Sequence, residues 1–276
     1  MVARQILNNN LVLTKNSAGE EIIVKGKGIG FQKSKGDTID ESRIEKIFTF
    51  EKSRQGRRFQ SFLSSMQAEF IDLADKIVDY ALMQYDMKLS DSIYIALSDN
   101  IEGVYSRYEN GMQLPNGLLF DIQRMYRQEY DVGKHALRLL KQEKGMELRN
   151  DEAGYIAMHF INAQTDHDME DIYMITKVVG EVLDLVQMHF GVVLNDEDYN
   201  FQRLQTHLKF FAQRLLMGNQ YYEQDDGLFE VIRERYPDVY ACVLKIVVYI
   251  EDQYHYNMNK EEMLYLMIHI ERVRGK

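Results

Sequence analysis

The pattern Glu152-x-x-Tyr155-x-x-x-His159 returns as Glu262-x-x-Tyr265-x-x-x-His269, with all three residues displaced by 110 positions. The same displacement pairs Tyr126 with Tyr236 and Tyr130 with Tyr240. A displacement of 107 pairs Leu97 with Leu204, Arg107 with Arg214, Gly111 with Gly218, and Asn100 with His207. The chain after residue 62 therefore reads as two copies of one module of about 105 residues, an ordinary domain size. Within the copies, Phe70, Leu73, Ala74, Ile77 and Val78, and again Ile175, Val178, Val179, Val182, Leu183 and Val186, fall at helical spacing and predict amphipathic helices with core-facing stripes. Thr165-Asp166-His167-Asp168 is the polar break between the copies, which gives modules at 63–168 and 169–276.

Residues 1–60 differ in charge and in pattern. They hold twelve Lys and Arg against seven Asp and Glu, while the whole chain carries −10, so a basic head precedes an acidic body. The body, with only two prolines in the whole chain and 45% hydrophobic residues, has the makings of helical cores. No apolar run reaches the 18 residues a membrane span needs, and the first ten residues lack the apolar block of a secretory signal, so a cytoplasmic location with no membrane insertion is expected. Cys242, the single cysteine, lies between Ala241 and Val243 in an apolar pattern, which predicts a core residue and excludes both a disulfide and a Cys-based zinc site.

In the head, residues 2–7 and 11–15 read as strands around the turn Asn8-Asn9-Asn10, and 21–25 and 47–50 as two more, with a short turn or helical piece over 40–46 between them. Between the third and fourth strands lies Gly26-Lys27-Gly28-Ile29-Gly30-Phe31-Gln32-Lys33. Read as a strand, it places Lys27, Ile29 and Phe31 on one face and leaves the other bare enough for a partner to approach the backbone. A phosphate-binding loop would need a long helix directly afterwards, and Ser34-Lys35-Gly36-Asp37 breaks one. Two readings stay open on pattern alone: glycines serving bulges and turns of a small sheet, or a nucleic-acid surface with Asn for base edges, Lys for phosphates and Phe31 for stacking. The basic stretch 52–62, with Gly56 inside it, reads as a linker whose Arg54, Arg57 and Arg58 form a solvated charge run.

The recurring histidine also admits several readings. A packed or capping residue accounts for an isolated His. A metal ligand needs a second His or Cys at local spacing, which neither His159 nor His269 has. General acid–base work needs a substrate pocket that the sequence does not indicate. A phosphoryl acceptor needs a neutral imidazole near pH 7, which histidine supplies.

Asn8-Asn9-Asn10, the glycine segment, and Asp40-Glu41-Ser42-Arg43-Ile44-Glu45-Lys46 together resemble the co-antiterminator RNA-binding domain of the bacterial BglG/LicT/SacY family of transcriptional antiterminators, and residues 63–276 resemble the tandem phosphotransferase-regulation domains that follow it. The resemblance implies a small four-stranded antiparallel sheet at 1–55, a linker at 56–62, and two all-α helical bundles. It implies an RNA hairpin, the ribonucleic antiterminator, as ligand, bound by a homodimer through Asn10, Gly26, Lys27 and Phe31. Lys27 stands where relatives often carry Arg, and Gln5 where they often carry a basic residue. It implies phosphorylation at His159, His207 and His269 by the phosphocarrier HPr and a sugar-specific enzyme II, with Asn100 at the fourth acceptor position. His135, His167, His189 and His255 match none of these positions and are expected in surface or packing roles.

The function so implied is stabilisation of a hairpin in nascent messenger RNA, which prevents terminator formation in a sugar-utilisation operon. Phosphorylation of the second domain would favour the active dimer, and phosphorylation of the first would oppose it. No catalytic residue, metal or cofactor is expected, and the chain does not read as an enzyme. A second reading is a phosphorelay protein acting through protein contacts or at DNA, although no helix-turn-helix is legible before residue 63.

Overall fold

The computed structural model describes residues 1–49, 67–165, 168–195, 197–218 and 227–274. The linker stretch 52–62 lies outside the described residues, as does His167.

The head is a four-stranded antiparallel sheet in the order β1 (Gln5–Ile6), β2 (Leu11–Lys15), β3 (Glu21–Lys25) and β4 (Lys46–Thr49). Its turns follow from asparagine chemistry. Asn8 Oδ1 accepts from the backbone N–H of Asn10 and Leu11 at 2.8 and 2.7 Å, which closes the β1–β2 turn, and Asn16 Oδ1 accepts from Ala18 and Glu20 in the next. Register then sorts the side chains by period two. Leu13 pairs with Ile23, which pairs with Phe48, and Lys25 pairs with Lys46, so these residues share one face. Val12, Ile22 and Val24 occupy the other face, where they pack with Ala3, Ile29 and Ile39 into a small core of the head's own.

Residues 26–32 depart from the strand reading. They form successive tight turns, with Ile29 N–H donating to Gly26 O, Phe31 N–H to Gly28 O, and Lys33 N–H to Gly30 O. Ile29 is 2% exposed and Phe31 57%, so the two no longer share a face. The reason is close packing against neighbouring backbone: a Cβ at Gly26 would overlap the Arg43 carbonyl oxygen, and one at Gly30 would overlap the Asn8 carbonyl oxygen. The room these two glycines leave is filled by their own chain.

The described part of the body contains ten helices: α1 (Ala68–Tyr85), α2 (Ile93–Glu109), α3 (Leu119–Met125), α4 (Arg127–Lys144), α5 (Asn150–Gln164), α6 (Met169–Phe190), α7 (Tyr199–Met217), α8 (Leu228–Arg235), α9 (Pro237–Tyr254) and α10 (Lys260–Arg274). The last five repeat the first five in order and closely in length, as the internal repeat requires. Tyr126 and Tyr236 join corresponding helices with nearly the same backbone angles, φ −137° and −129°. The amphipathic stripes bury as the spacing predicts: Phe70, Leu73, Ala74, Ile77 and Val78 in one core, and Val178, Val179, Val182, Leu183 and Val186 in another, with Cys242 inside the latter.

Two compact units result. One comprises residues 1–116 and 128–166; the other comprises 117–127 and 167–276, so α3 belongs to the second unit. Its anchors there are specific. Arg124 donates to the Leu194 carbonyl at 3.2 Å and lies 4.4 Å over the Phe201 ring, while Lys209 donates to the Met125 carbonyl at 3.2 Å. Among the described residues no helix is long and apolar enough to cross a membrane.

Candidate functional site

Two places gather the residues singled out in the sequence. In the head, the turn carrying Asn10 is sewn to the glycine segment: the Asn10 carbonyl accepts from Gly26 N–H, and Asn10 Oδ1 accepts from Gly28 N–H, both at 2.9 Å. These two bonds bracket Lys27, which is exposed, and the next turn presents the exposed ring of Phe31. One small surface thus offers an amide, a cation and an aromatic face, while Gly26 itself is buried beneath it. The Arg43 guanidinium reaches the Gly28 carbonyl at 3.5 Å and closes the segment from the other side.

In the second module, His207 on α7 and His269 on α10 stack with ring centroids 4.0 Å apart and planes 28° from parallel. Tyr265, one turn before His269, lies 5.8 Å from the His207 ring and 6.5 Å from that of His269. His269 is 4% exposed. Burial first, then the neighbouring His207, pushes its imidazole down to about 4. Burial, then Arg203 and Arg214, also lowers His207. A cavity of about 310 Å³ opens beside His207, with Phe210, Arg214, Glu262 and Tyr265 among its walls.

In the first module, Asn100 lies on α2 and His159 on α5, the two helices corresponding to α7 and α10, and these two helices are likewise in contact. Burial alone pushes His159 down to about 4. Nδ1 of His159 and of His269 are both buried without a hydrogen-bond partner, and so is Oδ1 of Asn100. Both deep histidines are therefore neutral near pH 7, and each has its Nδ1 turned into the protein.

A feature beside each histidine went unrecognised in the sequence. Arg107 Nη2 donates to both carboxylate oxygens of Glu152 at 3.1 and 3.0 Å, and Arg214 pairs with Glu262 at 3.8 Å. Both acids are buried. Glu262 also accepts from Tyr256 Oη at 2.8 Å and from Asn259 N–H at 3.2 Å, while Asn259 Oδ1 accepts from Glu262 N–H, a reciprocal cap on α10. The signal was present, since both members of the pair recur in the repeat, but their displacements of 107 and 110 belong to different helices, and sequence does not say that those helices touch. Of the remaining histidines, His135 stacks on Tyr80 at 3.7 Å and His255 caps α9 in the left-handed conformation. Among the described residues no group of three or more His, Cys, Asp or Glu side chains is arranged to hold a metal ion.

Residues 1–56 match the CAT RNA binding domain, and residues 75–163 and 180–273 each match the PRD domain. The chain is 41% identical over 273 residues to the transcription antiterminator LicT of Bacillus subtilis, with 99% of each chain covered. It is 37% identical over 276 residues to the beta-glucoside operon antiterminator of Dickeya chrysanthemi, covering 100% of this chain and 98% of that one. A crystal structure of GlcT CAT-PRDI superposes with a TM-score of 0.51 at 27% identity, covering 59% of this chain and 98% of that one. The chain belongs to the BglG/LicT family of transcription antiterminators, regulatory RNA-binding proteins that join a CAT RNA-binding domain to two phosphotransferase-system-regulated PRD domains.

Proposed function

We propose that this member of the antiterminator family acts in the cytoplasm as a homodimer that binds a hairpin in nascent messenger RNA of a sugar operon through Asn10, Lys27, Phe31 and the backbone at Gly26. The name of one relative, the beta-glucoside operon antiterminator of Dickeya chrysanthemi, points to beta-glucosides as the sugar class. Antitermination then needs only differential affinity: the protein holds one RNA fold and depopulates the terminator that shares its nucleotides. The observation that carries the reading is the turn that Asn10 fixes by its bond to Gly28, because that short segment leaves a cation and an aromatic exposed on a head that matches an RNA-binding family. Lys27 supplies phosphate contact, and Phe31 a stacking face for an unpaired base.

His159, His207 and His269 are the acceptors in this reading. HPr is the donor to the second module, and a sugar-specific enzyme II to the first. The lone pair of a neutral imidazole nitrogen attacks the phosphorus of the donor's phosphoryl group; the new N–P bond forms as the bond between that phosphorus and the donor's side chain breaks, and the donor side chain leaves. With Nδ1 enclosed in His159 and His269, Nε2 is the acceptor atom there. Arg203 and Arg214, whose charges are felt at His207, offset the added negative charge.

A gel shift tests the reading. A hairpin RNA of about 30 nucleotides should bind, duplex DNA of equal length should not, and affinity should fall steeply with salt in proportion to the phosphate contacts. Equal binding to both nucleic acids would overturn it. Phe31→Ala should weaken hairpin binding by about tenfold, the size of one lost base stack.

A further inference from the structure

The motif that recurs in the two modules brings a tyrosine with it, and the two tyrosines differ in what they reach. On α5, Tyr155, one turn before His159, donates from its hydroxyl to the Pro115 carbonyl at 2.9 Å. On α10, Tyr265 stands at the matching position, one turn before His269, yet its hydroxyl has no hydrogen-bond partner among the described residues. Its ring is 48% exposed, lies 5.8 Å from that of His207 on α7, and walls the cavity of about 310 Å³ beside that histidine.

The arginines differ in parallel. Arg107 is held by both oxygens of Glu152, at 3.1 and 3.0 Å, so turning it away would strip a buried acid of its cation. Arg214 stands 3.8 Å from Glu262, and that acid has two other donors, Tyr256 Oη and the Asn259 N–H. Glu262 therefore stays hydrogen-bonded when Arg214 swings towards the cavity. His207 and Arg214 lie about two turns apart on α7 and line that cavity together. Glu262 lines it as well, so an anion seated there needs Arg214 between itself and the carboxylate. Phe210, Phe211 and Leu266 complete the wall with apolar surface. One imidazole, one phenol hydroxyl and one guanidinium thus converge on a small space, the donor set of a phosphoryl group anchored on the imidazole.

We propose that this cavity seats the phosphoryl group carried by His207, with the Tyr265 hydroxyl donating to one phosphoryl oxygen and Arg214 turning from Glu262 to another. Tyr265 is thereby a phosphoryl-binding residue of the second module, and Tyr155, tied to Pro115, is not its equivalent in the first. The proposal rests on the acceptor role of His207 given above and deepens it. Neither donor takes part in making or breaking a bond to phosphorus. Both bind the charged product, so they raise the share of His207 that is phosphorylated at a given level of donor. The second module then holds its phosphoryl group through side chains that the first commits to its own fold.

The test equilibrates the full chain with HPr at a fixed ratio of its phosphorylated to its free form and reads label at His207 by peptide mapping. Tyr265→Phe keeps the ring and removes only the hydroxyl. It should lower the ratio of phosphorylated to free His207 by about tenfold, the size of one hydrogen bond to a charged group. Tyr155→Phe should leave label at His207 as in the parent. Label in Tyr265→Phe equal to the parent's, or an equal loss in both variants, overturns the proposal. A second readout is the phosphorus resonance of the phosphorylated parent followed with pH: hydrogen bonds to the dianion should make the group at His207 lose its last proton at lower pH than free phosphohistidine does. Identical titration overturns the proposal even where Tyr265→Phe fails to fold. If the parent takes no label at His207, the acceptor reading itself falls, an outcome distinct from parent and variant labelling alike.

Discussion

In the second module two imidazoles stack at 4.0 Å beside an open cavity; in the first, the corresponding helices carry one imidazole and the amide of Asn100. The supporting frame is the same in both: a buried glutamate near the start of the last helix, paired with an arginine on the second. The comparison separates frame from chemistry. The ion pair persists where the second imidazole does not, so its task is to fix the helix that presents the deep histidine, and the second ring is an addition to that frame. The causes of the lowered basicity differ in the same sense. His159 is depressed by burial alone, whereas His269 also feels a second imidazole.

The largest expected effect breaks the comparison at its active end. Replacing both His207 and His269 by Gln should abolish labelling by phosphorylated HPr, while His159→Gln should leave that labelling nearly intact; persistence of label in the double variant would refute the assignment. Next, Asn100→His should make the first module a copy of the second, raising the label it accepts from its enzyme II up to about twofold, one acceptor becoming two. Unchanged labelling and unchanged sugar-dependent repression would show that position 100 has no part in the input.

A third prediction concerns pH. Burial holds the folded His159 near 4, below its ordinary 6.5, so unfolded chains bind a proton over a range where folded ones do not. Its contribution to stability is therefore complete above pH 6.5 and is lost as pH falls towards 4, by at most about 3 kcal/mol. Urea titrations of the parent and of His159→Gln at pH 7 and pH 4.5 measure this by difference, because carboxylate effects common to both cancel. The variant should lose less.

Smaller again is the contrast between the two ion pairs. Arg107→Ala should cost the first unit about 2–3 kcal/mol, since it removes the closer of the two pairs and leaves Glu152 buried. Arg214→Ala should cost the second unit less, about 1 kcal/mol, because Glu262 keeps Tyr256 and Asn259. Equal losses would mean that the cap on α10 adds nothing.

Much of the architecture was legible in the residues for a physical reason: strands and helices declare themselves by local period. The β-branched runs between Asn and Gly turns became strands at 11–15, 21–25 and 46–49, and the helical stripes became cores. The alternation of the glycine segment is compatible with a strand or with turns; close approach of the Arg43 and Asn8 carbonyls demands glycine there, and the chain takes the turns. The inward lysine was also missed. Lys25 reads as one more basic residue of a basic head, and only the register with Lys46 shows that it shares a face with Ile23 and Phe48.

The residues alone established that a small sheet precedes two copies of one helical module, that one histidine recurs, and that an asparagine replaces another. Those facts follow from patterns within about one turn of chain or from the repeat. Tertiary packing alone settled that His207 and His269 touch, that Arg107 and Arg214 steady the glutamates beside them, that α3 joins the second unit, and that Asp75 and Asp79 of the first module hold Lys25. Each is a contact between segments tens of residues apart. A local period says which face of an element is apolar, and packing alone says which other face it meets.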